Sequence, residues 1–269
     1  MKSLDIEINI SEKLRNIEID HDVKIILAIE AGSRAYGLSA IDSDYDVRFI
    51  YAHRTEWYLS VALEEMSDTI ELPHSKNLDI SGWDLRKALR LFWKSNPNFV
   101  EWIQSKTIYK SEGSFLLLSK KLLKSVYSAE SGFHHYRSMA TRPYKRHSST
   151  VFCTKTYLHI LRATLSALWL EKNQSPAPID FKILCSHLIS DNALKEEIVS
   201  LVSARQNGAT PNVPHHYPLI EHFISDFIAR PTPTFSKSKR THVEPVLSNL
   251  FRSTLSEAWH AGKSQQHII

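Results

Sequence analysis

Gly32-Ser33 and, ten residues further on, Asp44-Tyr45-Asp46 are the residues of this chain whose types and spacing can do chemistry. A Gly-Ser turn lets backbone N–H groups approach an anion closely and adds a hydroxyl, which suits phosphate oxygens. Carboxylates are hard oxygen ligands, and magnesium commonly takes one or two of them together with substrate phosphates. Residues i and i+2 of a strand point to one face, so Asp44 and Asp46 can grip the same pair of ions. Two ions about 3.5–4 Å apart stabilise both the attacking and the leaving oxygen of an in-line displacement. A third carboxylate usually comes from a neighbouring strand. Asp79, within Asn77-Leu78-Asp79-Ile80, is the best candidate, and Glu71 and Asp84 are the alternatives. Arg48, inside a buried-looking strand, needs a partner, because an unpaired buried charge is costly. That partner is one of the aspartates or a bound nucleotide.

These residues need elements to hold them. Residues 23–31 form a nearly unbroken apolar run, as in a strand buried on both faces, and 46–51 read as a second strand. Between them, 33–38 suit a loop with a turn of helix. Weaker strands are expected at 69–72 and 77–80, with a bend at Pro73. From Trp83 the period changes: Leu85, Leu89, Phe92 and Trp93 share one helical face, Ser81 is placed to cap its start, and Asn96-Pro97 to end it. Helices follow near 98–104, 113–128, 130–140, 150–171, 181–189, 192–205 and 217–228, with a loop at 173–180. Strands first and helices later predict an α+β chain. Residues 1–115 would make a mixed sheet with flanking helices, and 116–269 an α-helical domain completing a cleft. Residues 230–240, rich in Pro, Ser and Lys, read as a flexible connector.

The chain has 269 residues, a formal charge of +4 and a pI near 8.9, a balance that suits an anionic partner such as a nucleotide or RNA. Two isolated cysteines make neither a disulfide framework nor a zinc site, which predicts a reducing cytoplasmic setting. No run approaches the roughly 20 apolar residues of a membrane helix. The adjacent pairs His134-His135 and His215-His216 lack the partners and spacing of a zinc site. Arg137, Arg142, Lys145 and Arg146, interleaved with Tyr136 and Tyr144, are a candidate track for a nucleic-acid backbone, or else a solvated linker.

The Gly-Ser turn followed by Asp-x-Asp resembles the signature of the DNA polymerase β nucleotidyltransferase superfamily. Three blocks resemble its RlaP/YcgL-type family more closely: Gly32-Ser33-Arg34-Ala35-Tyr36-Gly37 leading into Ser43 to Arg48, Asp79 to Lys87, and Lys155 to Arg162 with Trp169. Together with a Pro176-Ala177-Pro178 turn they span roughly residues 25–181. The resemblance implies a polymerase β-like core and transfer of a nucleoside monophosphate from a nucleoside triphosphate to an acceptor hydroxyl. It also implies RNA repair, with an RNA end as acceptor; a protein or small-molecule acceptor, or a catalytically silent nucleotide- or RNA-binding module, are the competing readings. Asp44, Asp46 and Asp79 would be ligands of two Mg2+ ions, with Mn2+ as an alternative. Gly32 and Ser33 would hold the β/γ-phosphates, with Arg34 neutralising triphosphate charge and Arg48 counted on the nucleotide side. Lys155, Tyr157 and Arg162 would face the same cleft from the helical part.

Overall fold

The computed structural model describes residues 3–75, 77–146, 152–207, 216–236 and 242–260. Its centre is a five-stranded mixed sheet, and apolar patterning explains the order of the strands. β1 (Lys24–Glu30) is buried at six of its seven positions, and β2 (Tyr45–Ala52) alternates Val47, Phe49 and Tyr51 on one face with Ile50 and Ala52 on the other. Strands with two apolar faces belong inside a sheet. β3 (Thr69–Glu71), β4 (Leu78–Asp84) and β5 (Ile108–Ser111) complete the order β3-β4-β2-β1-β5, in which only the β2–β4 pair is parallel. Gly82 of β4 lies opposite Phe49, whose ring sits 2.3 Å from where a Cβ would stand, so this strand position accepts no side chain.

One sheet face is covered by α1 (Ser3–Asp20). Ile6, Ile10, Leu14 and Ile17 form a stripe against Ile25, Phe49, Tyr51 and Ile80. The other face, through Ile26, Ile29, Ile50 and Ala52, joins a larger apolar cluster that continues to Leu255. The elements around and beyond the sheet are α2 (Gly32–Tyr36), α3 (Thr55–Tyr58), α4 (Leu85–Trp93), α5 (Pro97–Gln104), α6 (Phe115–Val126), α7 (Ala129–Arg146), α8 (Thr154–Asn173), α9 (Phe181–Leu188), α10 (Asn192–Gln206), α11 (Pro218–Ala229) and α12 (Val243–His260). The fold is thus α+β, a mixed sheet with flanking helices followed by helices alone. Among the described residues no helix is long and apolar enough to cross a membrane.

Three local readings change. Ser81 lies inside β4, and the cap of α4 is Asp84, whose carboxylate accepts from the Arg86 N–H at 2.8 Å. Asn96 and Pro97 open α5 instead of closing α4, with Asn96 Oδ1 accepting from Asn98 N–H. The candidate basic linker continues as helix to Arg146, with Pro143 inside α7. Residues 231–236 have no regular structure, and 237–240 of the expected connector lie outside the described residues.

Candidate active site

β1 ends at Glu30 and the chain turns at once into α2. Gly32 adopts a positive φ of 58°, and a Cβ there would lie 1.9 Å from Asp46 Oδ2. The turn therefore packs directly on the Asp46 carboxylate, which only glycine allows. Backbone bonds fix the approach: Ala31 N–H donates to Asp46 O at 2.7 Å, and Asp46 N–H donates to Glu30 Oε1 at 3.0 Å.

The loop before β2 is shaped by Ser43, whose Oγ accepts from Ala40 N–H at 2.8 Å. Arg34 reaches back from α2, donating from Nη2 to Ser43 O at 2.7 Å and from Nε to Asp44 O at 3.2 Å, with its guanidinium 3.8 Å over the Tyr45 ring. Arg34 thus holds the turn that presents Asp44, and it does not line the cleft.

Asp79 stands directly opposite Asp46 in the parallel β2–β4 register. Arg48 bridges the two, with Nη2 at 2.7 Å from Asp79 Oδ2 and 3.4 Å from Asp46 Oδ1, and its other nitrogen donates to Val47 O and Asp79 O. Arg48 has therefore found its partners among the aspartates. Burial pushes the Asp46 carboxyl above the usual range; Arg48 opposes this, while Asp79 and Asp44 add to it. The alternatives for a third carboxylate point elsewhere. Asp84 lies opposite Tyr51 at the other end of the β2–β4 pair, almost fully buried, capping α4 and accepting from Tyr58 Oη at 2.6 Å. Glu71 sits exposed on β3 opposite Ser81.

A cavity of about 430 Å³ opens where β1 ends and β2 begins. Gly32, Ser33, Asp42, Asp44 and Asp46 line one wall, and Lys155, His159 and Arg162 of α8 with Arg205 of α10 line the other. One wall carries three carboxylates, the other three cations. Arg162 is held rigidly: it is 4% exposed, donates to Glu101 Oε1 at 2.7 Å and lies 3.8 Å over the Tyr36 ring. Tyr157, by contrast, is fully buried, donates its hydroxyl to Glu221 and does not reach the cleft.

Among the described residues no three His, Cys, Asp or Glu side chains converge tightly enough to hold a metal as they stand. Asp79 is engaged by Arg48, while Asp44 and Asp46 both face the cavity. A pair of carboxylates beside a phosphate-sized space fits a hard cation that completes its shell from a substrate. His216 pairs with Glu221 at 3.2 Å, and His215 lies outside the described residues.

The basic-aromatic cluster of α7 divides between inward contacts and solvent. Arg137 bonds Thr232 and the Ile228 carbonyl, Tyr136 donates to Glu101, and Tyr144 packs near Phe152; Arg142, Lys145 and Arg146 remain exposed. Sequence reasoning missed Glu30, Glu101, His159 and Arg205. Glu101 left a trace, as the one charged residue of the Pro97–Gln104 helix, flanked by Phe99, Val100, Trp102 and Ile103, which marks a charge that must find a buried partner.

A mixed sheet that sets a Gly-Ser turn against an Asp-x-Asp strand, with helices across the cleft, is a polymerase β-like core followed by a helical region. The chain belongs to the RNA repair pathway DNA polymerase beta family, RlaP, whose model matches residues 6–253. The Bacillus subtilis (strain 168) protein named "Uncharacterized protein YcgL" is 36% identical over 258 residues, covering 95% of this chain and 98% of its own length. A crystal structure of a nucleotidyltransferase-like protein from Exiguobacterium sibiricum aligns with 93% of this chain and 77% of its own, at 12% identity and a TM-score of 0.29, too distant a likeness to bear on the fold.

Proposed function

We propose that this chain transfers a nucleoside monophosphate from a nucleoside triphosphate to an acceptor hydroxyl, and that the acceptor is an RNA end. The observation that carries the reading is the cavity itself. Asp44, together with Asp46 seated against the Gly32 turn, faces Lys155, Arg162 and Arg205 across a space of about 430 Å³. A bare carboxylate wall would repel a triphosphate and a bare cationic wall would bind any anion; the two together suit a triphosphate that arrives with magnesium or manganese.

In the reaction the acceptor oxygen bonds to the α-phosphorus, the bond from that phosphorus to the bridging oxygen of the β-phosphate breaks, and pyrophosphate leaves. The hydroxyl proton passes to solvent. Asp44 and Asp46 would hold the metal, which when bound neutralises phosphate charge and acts as a Lewis acid at the reacting phosphorus. The Ser33 hydroxyl and the turn's N–H groups donate to phosphate oxygens. Lys155 and Arg205 draw the phosphates toward the helices, and Arg162, fixed by Glu101, offers a donor that needs no reorganisation. Arg48 keeps Asp46 and Asp79 facing each other despite their mutual repulsion. The RNA acceptor is supported by the family's place in RNA repair.

The test is incubation with each of four α-labelled nucleoside triphosphates, RNA and cell extract, followed by separate RNA and protein gels. Label is expected in RNA, falling by roughly 10³-fold or more in Asp44→Ala and Asp46→Ala while both proteins stay folded. Label only in protein would overturn the RNA acceptor. Label in neither, with every nucleotide and metal, would overturn the transferase.

A further inference from the structure

A second concavity, about 920 Å³, lies between α4 and α12 and shares no lining residue with the catalytic cavity. Arg86, Arg90 and Lys94 run along its α4 wall at four-residue intervals. That spacing places the three cations on one helical stripe, about 6 Å apart along the axis, comparable to the step between successive phosphates of a nucleic-acid strand. Arg86 is paired with Glu64 at 3.0 Å, but among the described residues the Arg90 and Lys94 side chains have no partner. Two rings interrupt the charge. Trp93, 45% exposed, is on the same helix, and Phe251 of α12 faces the groove with Tyr58 edge-on behind it at 4.9 Å. The acid of the groove, Glu244, lies on the opposite wall and accepts from Ser248 Oγ at 2.6 Å, leaving the α4 wall positive.

We propose that this groove is a docking track for a single-stranded segment of RNA, with phosphates along Arg86, Arg90 and Lys94 and a base against Trp93 or Phe251. A line of cations tracks a backbone, and an accessible ring accepts any base by stacking. The catalytic cavity lacks that combination: its cations lie opposite carboxylates. The choice of RNA rests on the proposed RNA acceptor. The groove would hold a part of the strand that is not reacting, so binding in it needs neither nucleoside triphosphate nor metal.

The experiment is fluorescence anisotropy of a labelled single-stranded oligouridine with the full chain, without nucleoside triphosphate, across a salt series. The wild type should bind, with affinity falling steeply as salt rises. Arg90→Ala/Lys94→Ala should bind at least ~10-fold more weakly in low salt and lower the slope of log K against log salt by about 1.4, the value for two lost contacts to a single strand. Arg90→Lys/Lys94→Arg, which keeps the charges, should retain both affinity and slope. Trp93→Ala should weaken binding by ~10-fold and Trp93→Phe by much less. Asp44→Ala should bind like the wild type, which separates the groove from the transfer reaction. Absence of transfer with groove-dependent binding intact would remove the proposed function and leave the groove. Wild-type protein that does not bind the oligonucleotide, an alanine pair with an unchanged slope, or a polyglutamate peptide bound as tightly as the RNA would overturn the groove proposal.

Discussion

Gly32 packs so closely on Asp46 that there is no room for a side chain, so tolerance to substitution at this turn is set by a single hydrogen atom. Gly32→Ala places a methyl group 1.9 Å from Asp46 Oδ2 at a φ of 58°, where an L-residue is strained by roughly 1–2 kcal/mol. The carboxylate must move, so transfer activity should fall by at least ~100-fold while the melting temperature drops by only a few degrees. An alanine variant with wild-type turnover would show that Asp46 does not need its seat on the turn. The pairing of Gly32-Ser33 with Asp44 and Asp46 was legible because glycine scarcity and a two-residue carboxylate period are local signals. The partners of Arg34 and Tyr157 were not, and for Arg48 the aspartates stood beside a bound nucleotide as equal alternatives. Each depended on a neighbour set by register or by helix packing: the Ser43 carbonyl, Asp79 on β4, and Glu221 on α11. Arg34 shows the difference most clearly, since a cation beside a phosphate turn is equally suited to bracing the opposite loop, and its bonds to two carbonyls do that.

At the scale of elements, the strands and most helices followed from apolar period, while α1, β5 and α12 did not. α1 carries its four core isoleucine and leucine side chains among many charges, β5 is four residues with no buried position, and α12 follows a stretch rich in Pro and Lys. The junction of β4 and α4 was misplaced by three residues because Ser81 and Asp84 are both capping types, and only the parallel register with β2 keeps Ser81 in the strand. That junction carries a pH signature. Burial pushes the Asp84 carboxyl up to about 6, against 3.8 for an ordinary aspartate, although hydrogen bonds from Tyr58 and backbone N–H groups oppose the rise. Between those values the folded state binds the proton more tightly than the unfolded state. This group's contribution to stability is therefore fully present below the lower value and is lost as pH rises through the upper one. Asp84→Asn keeps a capping oxygen but removes the titration. The stability of the wild type relative to this variant should decline as pH rises from 3.8 to about 6 in thermal unfolding. A difference that does not vary with pH would mean that the carboxyl titrates as if exposed.

Across the whole molecule, Glu101 is the point where the sheet side and the helical side meet. Its carboxylate, almost wholly buried on α5, accepts from Tyr36 Oη of α2 at 2.8 Å, from Tyr136 Oη of α7 at 2.8 Å and from Arg162 of α8 at 2.7 Å. Burial alone would raise its pKa, but Arg162 and the hydrogen bonds outweigh that and hold it low. The charge persists there because three elements supply partners, and the same bonds fix Arg162 at the cavity wall and Tyr36 just beyond the Gly-Ser turn. A buried pair is costly to break from one side, since the remaining charge is left in a poor solvent. Arg162→Met should therefore destabilise the fold by about 3–5 kcal/mol, whereas Glu101→Gln/Arg162→Met, which removes both charges, should cost clearly less than the two single substitutions added together. Urea unfolding of the four proteins closes the cycle. The double variant should also bind nucleoside triphosphate more weakly while binding oligouridine normally, because the pair borders the catalytic cavity and not the α4–α12 groove. Strictly additive stabilities would mean that Glu101 and Arg162 act independently, and an unchanged triphosphate affinity would detach Arg162 from the substrate.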